Sequence, residues 1–173
     1  MGIERHPVPA LLVMGVLTSS EEACREAESR SKIVFGPLLR KTDPISFETF
    51  TCYYEAEMGP GLLKSYWVFA EPIVRGALVE IKLATNRIER EMSIEKRRRV
   101  NLDPGLLTQE SLVLATTKPY SHRVYLSKGI YGELVYMFRK DGGADLLPWT
   151  YPDYRGSVAT DFFRSVRKEV LLA

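Results

Sequence analysis

The chain has 173 residues, a formal charge of +2, 45% apolar and 27% charged residues, which is ordinary usage for a single globular domain over residues 1–173. Its near-neutral balance does not by itself mark a nucleic-acid partner, and Cys24 and Cys52, with no Cys-x-x-Cys pair, indicate neither a disulfide framework nor a zinc finger. The longest early apolar run, Ala10 to Leu17, is too short to cross a bilayer, so a cytoplasmic location without membrane contact is expected.

In chain order, Leu11 to Leu17 reads as a buried strand after a proline-bearing lead-in. Thr18, Ser19 and Ser20 are good N-cap residues, and Glu21 and Glu22 favour the positive end of a helix that runs to about Val34 and stops at Gly36-Pro37. From Ile45 to Met58 the residues alternate, with Phe50, Cys52, Tyr54 and Met58 on one face and Tyr53, Glu55 and Glu57 on the other, which predicts a strand. Gly59-Pro60-Gly61 turns it into a partner strand over Lys64 to Ala70. Pro72 then suits a helix's first turn, and Ile73, Ala77, Ile81 and Ile88 recur at helical spacing.

Asn101-Leu102-Asp103-Pro104-Gly105 has the composition of a turn, and Ser111 to Thr117 that of an apolar strand. Arg123 to Leu126 and Ile130 to Phe138 flank Ser127-Lys128-Gly129 as a second hairpin, which Asp141-Gly142-Gly143 ends. After an aromatic segment over 148–155, Val158, Phe162, Val166 and Val170 repeat every fourth residue as a last helix. The sum is an α+β fold: a mainly antiparallel sheet with helices packed on it. Its first part has the ferredoxin-like order β-α-β-β-α-β, followed by a β-hairpin and a helix.

Three groups of residues carry the chemistry. Glu55 and Glu57, about 7 Å apart on a strand face, would share a cation or divide acid and base roles. Lys82, Asn86 and Glu89 fall at i, i+4 and i+7, so a helix presents an ammonium, an amide and a carboxylate on one stripe. From Lys82 to Arg99 seven basic residues face three acidic ones, and Arg98 and Arg99 beside Asn101 and Asp103 form a segment suited to phosphate oxygens. His122 and Arg123 open the second hairpin, and Tyr151 and Arg155 lie in the aromatic segment, where they would cap a ligand. Each group also has a plain structural reading, as solvated helix and strand faces or as aromatics pinning a connection. Gly59 to Ser65 lacks the glycine before lysine that a phosphate loop requires, and no dinucleotide, His-Glu-x-x-His or Gly-x-Ser-x-Gly motif is present.

Tyr53-Tyr54-Glu55-Ala56-Glu57-Met58-Gly59, Ile81 to Asn86, Arg99 to Gly105, His122 to Leu126 and Trp149 to Arg155 together resemble the bacterial family catalogued as domain of unknown function 4416. The resemblance spans nearly the whole chain, and it implies no established activity, cofactor or catalytic residue. The leading expectation is therefore a domain that binds a phosphate-bearing ligand, a nucleotide or RNA, through Lys82, Asn86, Arg98, Arg99, Asn101, Asp103, Arg123, Tyr151 and Arg155. One alternative is a small metal-dependent hydrolase or phosphotransfer enzyme, with Glu55, Glu57 or Asp103 on a divalent metal and His122 as acid or base. Another is a structural or adaptor protein.

Overall fold

A computed structural model describes residues 2–51 and 54–172. Helices cover both faces of one antiparallel sheet, in strand order β2-β4-β1-β5-β6-β8-β7. The central strand β1 (Ala10–Thr18) is buried along its whole length because β4 (Leu63–Ile73) pairs with one of its edges and β5 (Asn101–Leu107) with the other. That burial on both faces is why β1 reads as a continuous apolar run instead of an alternating one. β2 (Leu38–Lys41) lies outside β4, so β2-β4-β1-β5 has the strand order and antiparallel sense of a split β-α-β unit, but with Leu38–Lys41 and Asn101–Leu107 in the places expected for strands at 45–58 and 111–117.

β6 (Ser111–Thr116), β7 (Val124–Ser127) and β8 (Ile130–Phe138) extend the sheet beyond β5, and β9 (Ala144–Leu146) pairs with β8. The β7–β8 turn puts Lys128 at φ 50° and Gly129 at φ 75°, two successive left-handed residues of the kind that match the twist of a tight hairpin.

On one face, Leu12, Met14 and Val16 of β1 pack with Trp67, Leu102 and two helices, α1 (Glu21–Phe35) and α3 (Leu78–Glu91). Ser20 caps α1 by accepting from the Ala23 amide at 3.2 Å, and Gly36 closes it at φ 87°. On the other face, Leu11, Val13, Tyr66, Leu114 and Tyr136 pack with Tyr154 of α4 (Pro152–Arg155) and with Ala159, Phe163 and Val166 of α5 (Ser157–Val166). Tyr154 stacks on Phe163 at 6.1 Å, which fixes α4 against α5. The apolar stripe of α5 is thus offset from the expected one, with Val158 and Val170 exposed.

Three expectations need correction. Residues 45–58 do not form one strand: β3 is only Ile45–Ser46, paired with Lys64 and Leu63, and Glu55–Met58 is a single helical turn, α2. The alternation there reflects a turn-and-helix segment whose Phe47 and Met58 are buried against Leu17 and Leu62, so Glu55 and Glu57 do not stand in a row on a strand. Cys52 and Tyr53 lie outside the described residues. Pro72 belongs to β4, opposite Leu11, and α3 begins only after a 3-10 turn at Arg75–Ala77.

The third correction positions the site. Asn101 to Gly105 is the start of β5 and not a turn, and it pairs with β1 from Asn101 to Leu107. On its other edge β5 joins β6 only from Gly105, opposite Leu114. The Leu102 amide instead donates to Glu89 Oε1 at 2.6 Å, and the Leu102 carbonyl accepts from Lys82 Nζ at 3.0 Å. Two helix side chains therefore satisfy the strand edge that β6 has left. Pro104 has the same parity as Leu102, so its missing N–H falls on that edge, where no ladder is broken. No helix of the described residues is long and apolar enough to cross a membrane.

Candidate functional site

Where β5 and β6 part, a cavity of about 760 Å³ opens, within the size range of small-molecule sites. Asn101 and Asp103 of β5 and Ala115 to Lys118 at the end of β6 form the two sides of the opening. Lys82, Asn86, Glu89 and Arg90 line it from α3, Phe47, Phe50 and Tyr54 from the segment before and into α2, and Tyr151 to Tyr154 from the start of α4.

The floor is a network of buried charge. Lys64, 4% exposed, lies 3.3 Å from Asp153 and 3.9 Å from Asp103, and Lys82 is 3.5 Å from the other oxygen of Asp103. The rings of Phe47, Tyr66 and Tyr154 surround the Lys64 ammonium at 5.4–5.8 Å, and Tyr66 donates to Asp153 at 3.1 Å. Gly15 makes this arrangement possible. It lies between Tyr66 and Asp103 in the sheet, and a Cβ there would come within 2.5 Å of the Tyr154 hydroxyl and 3.0 Å of Lys64 Nζ.

Asp103 faces the cavity, and although burial pushes its carboxyl up, Lys82 and Lys64 outweigh that and hold it below the ordinary aspartate range. Glu89 goes the other way, because its burial outweighs Lys82 and the Leu102 amide and raises its carboxyl. Burial, reinforced by Asp153, also raises the Tyr66 phenol, so it stays a donor.

A second buried pair closes another wall. Arg123 and Glu133 have side chains 2% and 1% exposed and meet at 2.5 Å, and Tyr151 bridges them, accepting from Arg123 at 2.6 Å and donating to Glu133 at 3.3 Å. Glu133 Oε1 and the Tyr154 hydroxyl have no hydrogen-bond partner among the described residues.

The third ion pair differs in kind. Arg98 Nε and Nη2 donate to the two oxygens of Glu57 at 2.6 Å each, while Nη1 donates to Asn101 at 2.6 Å. This fork is partly open, with Arg98 27% and Glu57 44% exposed. Its bond to Arg98 holds the Glu57 carboxyl below the ordinary glutamate range. Breaking a buried pair such as Arg123–Glu133 costs about 3–5 kcal/mol, whereas exposed pairs contribute about 0–1 kcal/mol, so Glu57 is the replaceable partner in this wall.

The expected site residues divide accordingly. Lys82, Asn86, Arg98, Asn101, Asp103, Arg123, Tyr151 and Glu57 all line the large cavity. Glu55 and Arg99 line a smaller neighbouring cavity of about 320 Å³ that shares Glu57 and Arg98 with the large one. Arg99 is held by Glu22 and Glu26 of α1 at 3.6 and 3.3 Å. His122 stacks on Trp149 and stands 3.5 Å from Glu133 Oε2, at the rim. Arg155 does not reach the cavity; its guanidinium donates to the carbonyls of Leu147, Pro148 and Thr150 and so fixes the loop before α4. Among the described residues, no three His, Cys, Asp or Glu side chains converge in a metal-holding group.

The sequence points to Glu133, on one face of its strand with Tyr131, as part of a polar cleft, but not to Lys64 or to Asp153 as its counter-charge. Lys64 had a signal, since it shares its strand face with Tyr66 and Val68, both fully buried, and a lysine in that position must find counter-charge inside. Asp153 had none beyond lying in an aromatic segment. Arg90 falls one turn beyond Asn86 and extends its stripe, and neither side chain makes a hydrogen bond or ion pair with another described residue.

The family model for the domain of unknown function DUF4416 matches residues 8–169, and the chain belongs to that family. Comparison with curated proteins and with solved structures returned no match.

Proposed function

We propose that this cavity binds a phosphate-bearing small molecule of nucleotide size. The observation that supports the reading is the division of labour along α3. Lys82 and Glu89 are engaged in satisfying the β5 edge, while Asn86 and Arg90 face the same space with no partner among the described residues. An amide and a guanidinium one turn apart offer several N–H donors to phosphate oxygens. Phe47, Phe50 and Tyr54 give another wall of that space apolar surface for a planar group.

A small ligand is favoured over an RNA strand. Of the basic run at 96–99, Arg98 and Arg99 are already matched by Glu57, Glu22 and Glu26, which leaves two cations of the run, Lys96 and Arg97, for a polyanion. The cavity is also sized for a single nucleotide.

Thermal denaturation of the full chain with adenosine monophosphate, inorganic pyrophosphate and a single-stranded oligoribonucleotide tests the reading. A ligand at a hundred times its Kd stabilises by about 2.7 kcal/mol. For a domain of this size that raises the Tm by roughly 5–10 °C. The mononucleotide is expected to give this shift and the oligomer a smaller one. No shift with either phosphate compound would refute the proposal.

A further inference from the structure

The Arg98–Glu57 fork is the partly open ion pair of the cavity wall. We infer that the phosphate received by Asn86 and Arg90 also takes the place of the Glu57 carboxylate on Arg98 in the same cavity, so that Glu57 is an internal competitor for the site. The inference rests on the phosphate-binding reading above.

Four observations carry it. The guanidinium presents Nε and Nη2 side by side to two oxygens, at 2.6 Å each, a geometry that carboxylate and phosphate satisfy equally. Its third contact, from Nη1 to Asn101 at 2.6 Å, anchors Arg98 to β5 whatever occupies the fork. Lys64, Lys82 and Arg123 have side chains 2–7% exposed against 27% for Arg98, so of these paired cations in the wall Arg98 is the most accessible. Glu57 itself is carried by α2, a helix of four residues, followed by Gly59 at φ 81° and Gly61 at φ 74°. Those glycines supply a joint at which a released α2 turns.

Release has a second effect. Glu57 and Arg98 line both the large and the small cavity and stand in the wall between them. Moving Glu57 away joins the two spaces and brings Arg97, which lines the smaller one, nearer to the bound phosphate. The ligand therefore gains cationic groups by displacing one carboxylate.

The test is calorimetric titration of the full chain with inorganic pyrophosphate, comparing wild type, Glu57→Gln, Arg98→Met and the double variant. Glu57→Gln removes the competing charge and is expected to tighten binding by a factor of about three to ten. Arg98→Met weakens it by a similar factor, and in the double variant the gain from Glu57→Gln disappears. Equal or weaker binding by Glu57→Gln would overturn the inference. If wild type still binds pyrophosphate in that case, the phosphate reading stands alone; if neither protein binds it, the inference fails and the phosphate reading is decided by the adenosine monophosphate arm. Hydrogen exchange at residues 55–58 gives an independent reading in wild type, with faster exchange expected when pyrophosphate is bound.

Discussion

At the scale of single residues, this protein places unusual charge in its interior and compensates nearly all of it locally. Arg123 and Glu133 are the clearest instance, because both are sealed and each supplies the other's counter-charge. Arg123→Met leaves the Glu133 carboxylate buried with only Tyr151 and His122 beside it. That is expected to cost about 3–5 kcal/mol in urea unfolding, and adding Glu133→Gln should recover most of it. A loss below about 1 kcal/mol would mean the pair is solvated.

Glu89 makes a prediction of opposite sign. Its carboxyl is raised in the folded protein, so the native state binds that proton more tightly than the unfolded chain does. Its contribution to stability is then fully present below the ordinary glutamate range and lost as pH rises through the folded value. Glu89→Gln keeps an acceptor for the Leu102 amide and removes that penalty. Relative to wild type it should gain stability from pH 4 to pH 7, measured by unfolding at each pH; a relative loss over that window would contradict the sign.

At the scale of elements, legibility followed a simple physical division. Where local chemistry and tertiary position agreed, as at the Ser20 cap, the Gly36 stop and the Lys128-Gly129 turn, the sequence was enough. It misled where a side chain from elsewhere took over a backbone's needs. Asn101-Leu102-Asp103-Pro104-Gly105 carries turn residues, yet it is a strand because Lys82 and Glu89 satisfy its free edge. Nothing local encodes that, since both partners lie on another helix. The 45–58 segment failed for a different reason. Period-two alternation cannot distinguish a strand from a short helical turn whose aromatic residues fall inward around Leu17 and Leu62.

The point where β5 leaves β6 is itself testable. A Cβ on Gly105 would meet the Val113 carbonyl oxygen at 2.6 Å and Leu114 Cδ2 at 2.7 Å, and a backbone carbonyl cannot move aside as a flexible side chain can. Gly105→Ala is expected to cost about 1–3 kcal/mol. Because the strain falls where the two strands meet, the loss should be accompanied by faster amide exchange in β5 and β6 than in β1. Uniform exchange across the three strands would place the strain elsewhere.

At the scale of the whole molecule, the fold builds one concave site by an irregularity in an otherwise continuous sheet. The ferredoxin-like unit supplies β5 with α3 packed beside it, and the β6–β9 extension with α4 supplies the facing wall. Most of the residues singled out in the sequence meet there, because α3, β5 and the Tyr151 segment converge on the gap. Arg155 and Arg99 do not, since each is used to hold a neighbouring element. What the sequence did not disclose is the interior counter-charge of Lys64, which β4 shares with Asp153 of α4 far along the chain, and the sealing of Arg123 against Glu133 of the neighbouring strand β8.

The central claim is that the unengaged stripe on α3 receives a phosphate-bearing ligand, and Asn86 and Arg90 test it most directly, because no described side chain depends on them. Titration of adenosine monophosphate into wild type, Asn86→Ala and Arg90→Ala should show each substitution weakening binding by about tenfold, equivalent to about 1.4 kcal/mol. Unfolding stability without ligand should stay within about 0.5 kcal/mol of wild type. Unchanged affinity in both variants, with wild type binding the nucleotide, would contradict the claim and place the phosphate elsewhere.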